Sequence, residues 1–168
     1  MWWCSRRALI LGLAALPAAG CTLAPVYGPG GAGTLLQNRL RADDPTTPAA
    51  HALVARLDDR LGRAQAPEFR LAYRISVSEE RGAATPQRTA SRVRLLGAVE
   101  FSVTRSADGG TATTGRVEHF TAYSTTETPL ATRAAAEDAE RRLMVILADQ
   151  IVMRLLATAP RWAGPPGA

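Results

Sequence analysis

Three stretches of apolar–polar alternation occupy the middle of this chain, and they leave little freedom in how it can fold. In residues 69–77, Phe69, Leu71, Tyr73, Ile75 and Val77 take one side, while Arg70, Ala72, Arg74 and Ser76 take the other. A period of two marks a strand with one buried and one wet face. Residues 91–104 repeat the pattern: Val93, Leu95, Val99, Phe101 and Val103 oppose Arg92, Arg94, Glu100 and Ser102. Residues 111–123 form a third run, with Val117, Thr121 and Tyr123 in phase and Phe120 out of phase. Asp108-Gly109-Gly110 is a turn signal between the last two runs, which predicts a hairpin. Residues 79–87 are polar, with Gly82 and Pro86, and predict a loop.

An apolar sheet face needs a cover, and two segments with helical spacing supply it. Thr47-Pro48 places a capping side chain before a proline at the first helical position. Ala50, Leu53, Val54, Leu57 and Leu61 then recur at helical intervals, and Gly62 suits the end. Arg56, Asp58, Asp59 and Arg60 lie off that stripe and predict a solvated face. Thr128-Pro129 opens a longer helical pattern that holds to about Thr158, roughly 45 Å of helix. Leu143, Ile146, Leu147, Ile151 and Leu155 form its main stripe, broadened by Val145, Val152 and Leu156. Residues 134–139 are alanine-rich. A short segment, residues 35–40, predicts a first strand. The expected architecture is α+β, with two amphipathic helices packed on one face of a four-stranded, mostly antiparallel sheet. It forms a single domain over residues 34–159, and Pro160 opens a tail over 160–168 expected to be disordered.

The N-terminus belongs to no folded element. Residues 1–7 carry Arg6 and Arg7, residues 8–16 are apolar or glycine, and Leu16-Pro17-Ala18-Ala19-Gly20-Cys21 follows. That is the layout of a secretory signal, and the apolar run is too short for a bilayer span of about 20 residues. Small residues ahead of Cys21 predict a bacterial lipoprotein signal: residues 1–20 are removed and Cys21 becomes the lipid-bearing N-terminus. The alternative is a plain signal peptide with Cys21 incidental; Ser5-Arg6-Arg7 also touches a twin-arginine pattern. Residues 21–33, rich in Gly, Pro and Ala, predict a flexible tether.

Removing residues 1–20 leaves enough chain for one domain with its own core. The only other cysteine, Cys4, goes with the signal. A lone thiol in an oxidising compartment is a liability, which a thioether-linked lipid on Cys21 would resolve. All 20 basic side chains are arginine. A sequence pI near 10.2 can indicate nucleic acid, but export argues against that partner. Guanidinium forks suit phosphate and carboxylate.

No catalytic constellation is legible. His51 and His119 lie on different elements, and neither stands at metal-ligand spacing to a carboxylate. No nucleophile elbow, phosphate loop or dinucleotide fingerprint is present. The chain therefore reads as a non-enzyme with no cofactor beyond the covalent lipid. Glu137, Asp138 and Glu140 can pair with Arg141 and Arg142 along the last helix. Arg88, Arg92 and Arg94 lie at or just before one strand, and Arg70, Arg74 and Arg116 lie on others. Across the sheet they would gather either as a solvated face or as an anion site; in the envelope, lipid phosphates are the abundant anions. Arg88, Arg92 and Arg94 are the candidate contacts for such an anion.

The chain resembles the lipopolysaccharide-assembly lipoprotein family LptE in its alphaproteobacterial form. The resemblance rests on Cys21 with Pro25-Val26-Tyr27-Gly28-Pro29, on His119-Phe120-Thr121-Ala122-Tyr123-Ser124, on Ala136-Glu137-Asp138-Ala139-Glu140-Arg141-Arg142-Leu143, and on Leu147-Ala148-Asp149-Gln150-Ile151 with Arg154-Leu155. It implies two helices on a four-stranded sheet and a non-enzymatic lipoprotein on the periplasmic side of the outer membrane. It implies that such a protein partners and plugs an LptD-type β-barrel, helps that barrel assemble, and handles lipopolysaccharide on its way to the surface. Thr22, rather than Asp, fits outer-membrane retention. The rival readings are a periplasmic auxiliary lipoprotein, a binding adaptor of another envelope transport system, and a hydrolytic envelope enzyme, which would need a Ser, His or metal cluster that the sequence does not assemble.

Overall fold

The computed structural model describes residue 28 and residues 31–81, 92–125 and 128–164. Thr47 starts the first long helix as its sequence predicts: its Oγ1 accepts from the Ala50 N–H at 3.1 Å, and Pro48 follows. The elements in chain order are α1 (Ala32–Leu36), β1 (Leu40–Ala42), α2 (Pro48–Leu61), β2 (Phe69–Arg81), β3 (Arg92–Arg105), β4 (Thr111–Ser124) and α3 (Pro129–Thr158). A 3-10 turn, Ala159–Arg161, closes the order. The sheet order is β1-β2-β3-β4. β1 runs parallel to β2 because α2 crosses over between them, and the remaining pairs are antiparallel. The α+β architecture of two long helices on a four-stranded sheet is the one the alternation predicts.

The β3–β4 hairpin closes through the Asp108-Gly109-Gly110 turn. Gly109 sits at φ 68, a left-handed conformation that glycine adopts freely. Arg105 donates to both Asp108 carboxylate oxygens at 3.1 and 3.2 Å, and Gly110 N–H donates to Asp108 Oδ1 at 2.9 Å. The register slips between Val103 and Thr104, next to this turn.

The core lies between the sheet and the helices. Leu71, Val99 and Val103 are fully buried, with Phe69, Leu95, Phe101 and Val117 nearly so. From α2 come Leu53, Leu57 and Leu61; from α3 come Leu143, Leu147, Ile151 and Leu155. Met144, Ala148 and Val152 are also fully buried on α3. This helix touches the sheet on one side and α2 on the other, so its apolar surface exceeds a single stripe. Its length and composition would suffice to cross a membrane, but here the apolar faces form the core. With 30 residues, α3 spans ~45 Å. That matches the ~46 Å of the 14-residue strands beneath it. The 14 residues of α2 cover only ~21 Å. β2 therefore outruns its cover, and Val77 is 38% exposed although it lies in phase with Phe69.

At Gly97 the side chains of α3 pack directly on the sheet backbone. A Cβ there would stand 2.8 Å from Leu143 Cδ2 and 3.0 Å from Leu147 Cδ1. Both leucines are fully buried and have nowhere to move. Gly97→Val is expected to destabilise the protein by about 2 kcal/mol, read as a lower midpoint in urea unfolding with an unchanged slope.

Two expectations need correction. Residues 35–40 do not form a strand. Leu36 is fully buried as the last residue of α1. Asn38, at φ 58, turns the chain and donates its N–H to Leu61 O at 2.8 Å. Only Leu40–Ala42 pairs with β2. The same helix starts within the expected tether, of which residues 21–27, 29 and 30 lie outside the described residues. Nor is the chain disordered from residue 160. Trp162 packs edge-on against Phe69, with ring centroids 5.1 Å apart, and its Nε1 donates to Thr158 Oγ1 at 3.1 Å. Ala163 is buried. One aromatic anchor outweighs the proline-rich composition around it. Residues 165–168 lie outside the described residues.

Candidate functional surface

Of the residues expected to carry function, Cys21 and Arg88 lie outside the described residues, as does the signal over 1–20. Arg92 and Arg94 stand exposed on β3. Alternation places them on the sheet face turned away from the helices, and the register sets their neighbours. Reading across β2, β3 and β4, the rows are Glu80–Arg94–Ala122, Ser78–Leu96–Phe120, Ser76–Ala98–Glu118 and Arg74–Glu100–Arg116. Arg70 stands two rows further along, opposite Thr104.

The arginines share this face, as expected, and several of them stand beside carboxylates. Arg116 donates to Glu118 Oε1 at 2.6 Å and to Glu100 Oε1 at 2.8 Å. The Glu118 hydrogen bond, then Glu100, raises the Arg116 guanidinium above its ordinary value. Arg70 reaches Asp43 at 3.4 Å, and Arg94 lies 3.9 Å from Glu80. All these pairs are exposed, so each adds little stability. Their effect is to set a mixed charge pattern along the face.

What the alternation leaves unread is the apolar centre of this face. Phe120 is 52% exposed, and the Arg94 guanidinium stacks 4.6 Å from its ring centroid. Leu96 and Ala98 are half-buried beside it. With Ser76, Ser78 and Arg116 they line an open cavity of about 590 Å³. The one available signal was Phe120's position out of phase with Val117, Thr121 and Tyr123. A single exposed apolar side chain is ordinary, but one grouped with other apolar side chains on the wet side of a sheet is a candidate contact surface. An apolar floor with an aromatic and an arginine at its centre and polar groups at its rim resembles the energetic core of an interface, and can equally hold an amphiphile.

His119 also lines this cavity, its ring centroid 5.7 Å from that of Phe120, whereas His51 lies apart from it. His51 is exposed, its Nδ1 2.9 Å from Thr47 O. His119 turns toward α3, with Nδ1 3.5 Å from Gln150 Nε2. Among the described residues no group of three or more His, Cys, Asp or Glu is placed to hold a metal ion.

Comparison with known proteins bears on what this surface serves. Two solved structures share the fold. One is a candidate lipoprotein from Caulobacter crescentus CB15, with a TM-score of 0.61 and 19% identity, covering 77% of this chain and 95% of that one. The other is rare lipoprotein B from Shewanella oneidensis, with a TM-score of 0.56 and 19% identity, covering 72% of this chain and 94% of that one. A sequence comparison with curated proteins gives no match. Residues 34–155, which include α2, the sheet and nearly all of α3, match the model of the lipopolysaccharide-assembly family LptE, and the chain belongs to that family.

Proposed function

We propose that this chain is an outer-membrane lipoprotein, anchored through Cys21 on the periplasmic side, that partners and plugs an LptD-type β-barrel and assists its assembly and the passage of lipopolysaccharide to the surface. The family match over residues 34–155 carries this reading. The physical form agrees with it. A body held inside a barrel needs a rigid, hydrogen-bonded frame and an exterior compatible with a polar lumen. The three long strands, with α3 packed on β3 and β4, supply the frame, and the Arg–Glu–Ser rows of the outer face supply the exterior. The closing experiment is affinity purification of the tagged protein from solubilised outer membranes. Recovery with a β-barrel partner supports the reading. Recovery with an inner-membrane transport complex, or depletion that leaves barrel assembly and surface lipopolysaccharide unchanged, replaces it with the adaptor reading.

Within this proposal the candidate anion contacts have a defined test. Arg92 and Arg94 point away from the core, so R92E/R94E is expected to leave the thermal midpoint within ~2 °C of wild type. Lipopolysaccharide binding is expected to fall about tenfold, because two cationic contacts become repulsive. Unchanged binding assigns these arginines to solvent.

A further inference from the structure

β4 is the last strand in the order β1-β2-β3-β4, so among the described residues one side of its 14 residues has no neighbouring strand. Natural proteins blunt such edges, since unpaired N–H and C=O groups recruit other strands. Here α3 contributes a guard. Arg154 Nη1 donates to the backbone carbonyl of Arg116 at 2.5 Å. That contact places the Arg116 carbonyl on the free side. In an antiparallel strand a residue's N–H and C=O point the same way, and alternate residues share the direction. The backbone groups of Glu118 therefore face outward too.

We propose that the β4 edge is a pairing site for a second copy of this chain, held in check by Arg154. The charge sequence selects the register. Two β4 strands laid antiparallel about Val117 put Arg116 opposite Glu118 of the second copy, and Glu118 opposite its Arg116. Both are hydrogen-bonding positions, so the ladder and the ion pairs agree. The side chains are available for this, at 55% exposure for Arg116 and 63% for Glu118. In the isolated chain they form the cluster Glu100–Arg116–Glu118, and pairing would join two such clusters across the two-fold axis. Exposed apolar residues lie alongside. Phe120 is 52% exposed on β4 itself, and Met153, beside Arg154 in α3, is 59% exposed. Thr114 stands opposite Phe120 in this register, which brings the Phe120 rings of both copies into the joined outer face. The guard competes with the pair directly, because the Arg116 carbonyl held by Arg154 is the acceptor that the second copy's Glu118 N–H needs. This inference goes beyond the barrel partnership and does not depend on it, since a closed barrel presents no free strand edge.

Sedimentation of the full-length chain over a concentration series tests it, with variants that act in opposite directions. Arg154→Ala frees the acceptor and is expected to move the monomer–dimer midpoint several-fold lower. Glu118→Arg places like charges opposite each other twice and is expected to raise it about tenfold. An equimolar mixture of R116E and E118R chains restores both pairs and is expected to associate where neither does alone. Circular dichroism at each concentration confirms that the variants are folded. R116E faces Glu100 within its own chain; if it fails to fold, the opposed effects of R154A and E118R still decide. Wild type and R154A both monomeric at every concentration would overturn the proposal. So would self-association that E118R leaves unchanged, which would place the contact on another surface.

Discussion

Arg39→Ala is expected to lower the stability of this protein by about 3 kcal/mol, or about 10 °C in thermal midpoint, without moving any residue of the outer sheet face. Arg39 is the buried charged side chain of the described core, 8% exposed. Its guanidinium donates to Glu68 Oε1 at 2.8 Å and Oε2 at 2.5 Å, and to the carbonyls of Leu35 and Gly164, both at 2.8 Å. It also lies 5.5 Å from the centroid of Phe69, the ring that Trp162 packs against. One side chain thus ties α1, the entry to β2 and the segment after α3 into a single corner. Removing it takes a charged donor from two carbonyls, one on half-buried Leu35 and one on exposed Gly164, and a hydrogen bond to a charged group contributes about 1.5–3 kcal/mol. Glu68 can turn to water, its side chain being 49% exposed, so its own loss is smaller. Arg39→Lys keeps the charge but not the planar fork. It should recover less than half of the deficit in a chemical-denaturation series. A midpoint for Arg39→Ala within 2 °C of wild type would show that the corner contributes little.

The same corner sets a pH dependence. The hydrogen bond from Arg39, and secondarily its charge, holds the Glu68 carboxyl below the ordinary carboxylate range. A carboxylate with a depressed folded-state pKa stabilises the fold above its unfolded value and loses that contribution as pH falls through the folded value. Stability should therefore decline below the ordinary carboxylate range, and the decline should be shallower in Glu68→Gln. The difference is small, because Glu68 is half-exposed and solvent screens the pair.

Legibility in the sequence followed the range of the interaction that decides each feature. The strands, the β3–β4 turn and the starts of both long helices are set locally, by period-two alternation, by Asp108-Gly109-Gly110 and by Thr47-Pro48 and Thr128-Pro129. The side of the sheet each arginine takes was legible for the same reason. Which charge stands beside it was not. That depends on a register spanning more than ten residues, and it sets Arg116 between Glu100 and Glu118 rather than among other arginines. The 160–164 segment was unreadable for a related reason. Its composition is that of a tail, yet Trp162 finds Phe69 and Gly164 finds Arg39, partners that lie some ninety residues and more upstream. Leu35 and Leu36 gave an ambiguous face because α1 is a single turn, too short to show a period.

The packing of α3 also bears on how the chain is held at a membrane, and so on what replacing Cys21 will show. α3 passes the length and composition test for a membrane span. Leu143, Leu147, Ile151 and Leu155 are nevertheless fully buried in the core, and withdrawing them into lipid would dismantle it. Among the described residues α3 alone passes that test, and its apolar face is committed to the core; the proposed lipid on Cys21 is then the anchor to test. A covalent acyl chain contributes about 0.8 kcal/mol per buried CH₂, and stable anchoring takes more than one chain. Cys21→Ala with the signal otherwise intact is therefore expected to move the protein from the membrane fraction to the soluble periplasmic fraction nearly completely. Its unfolding midpoint should not change, because residue 21 precedes every described element. Fractionation of the envelope, with mass spectrometry of the N-terminal peptide, reads both outcomes. An unmodified wild-type cysteine, with the same distribution for both proteins, would make Cys21 incidental to a plain secretion signal. The family assignment over residues 34–155 would stand, and contact with the barrel alone would then have to localise the chain.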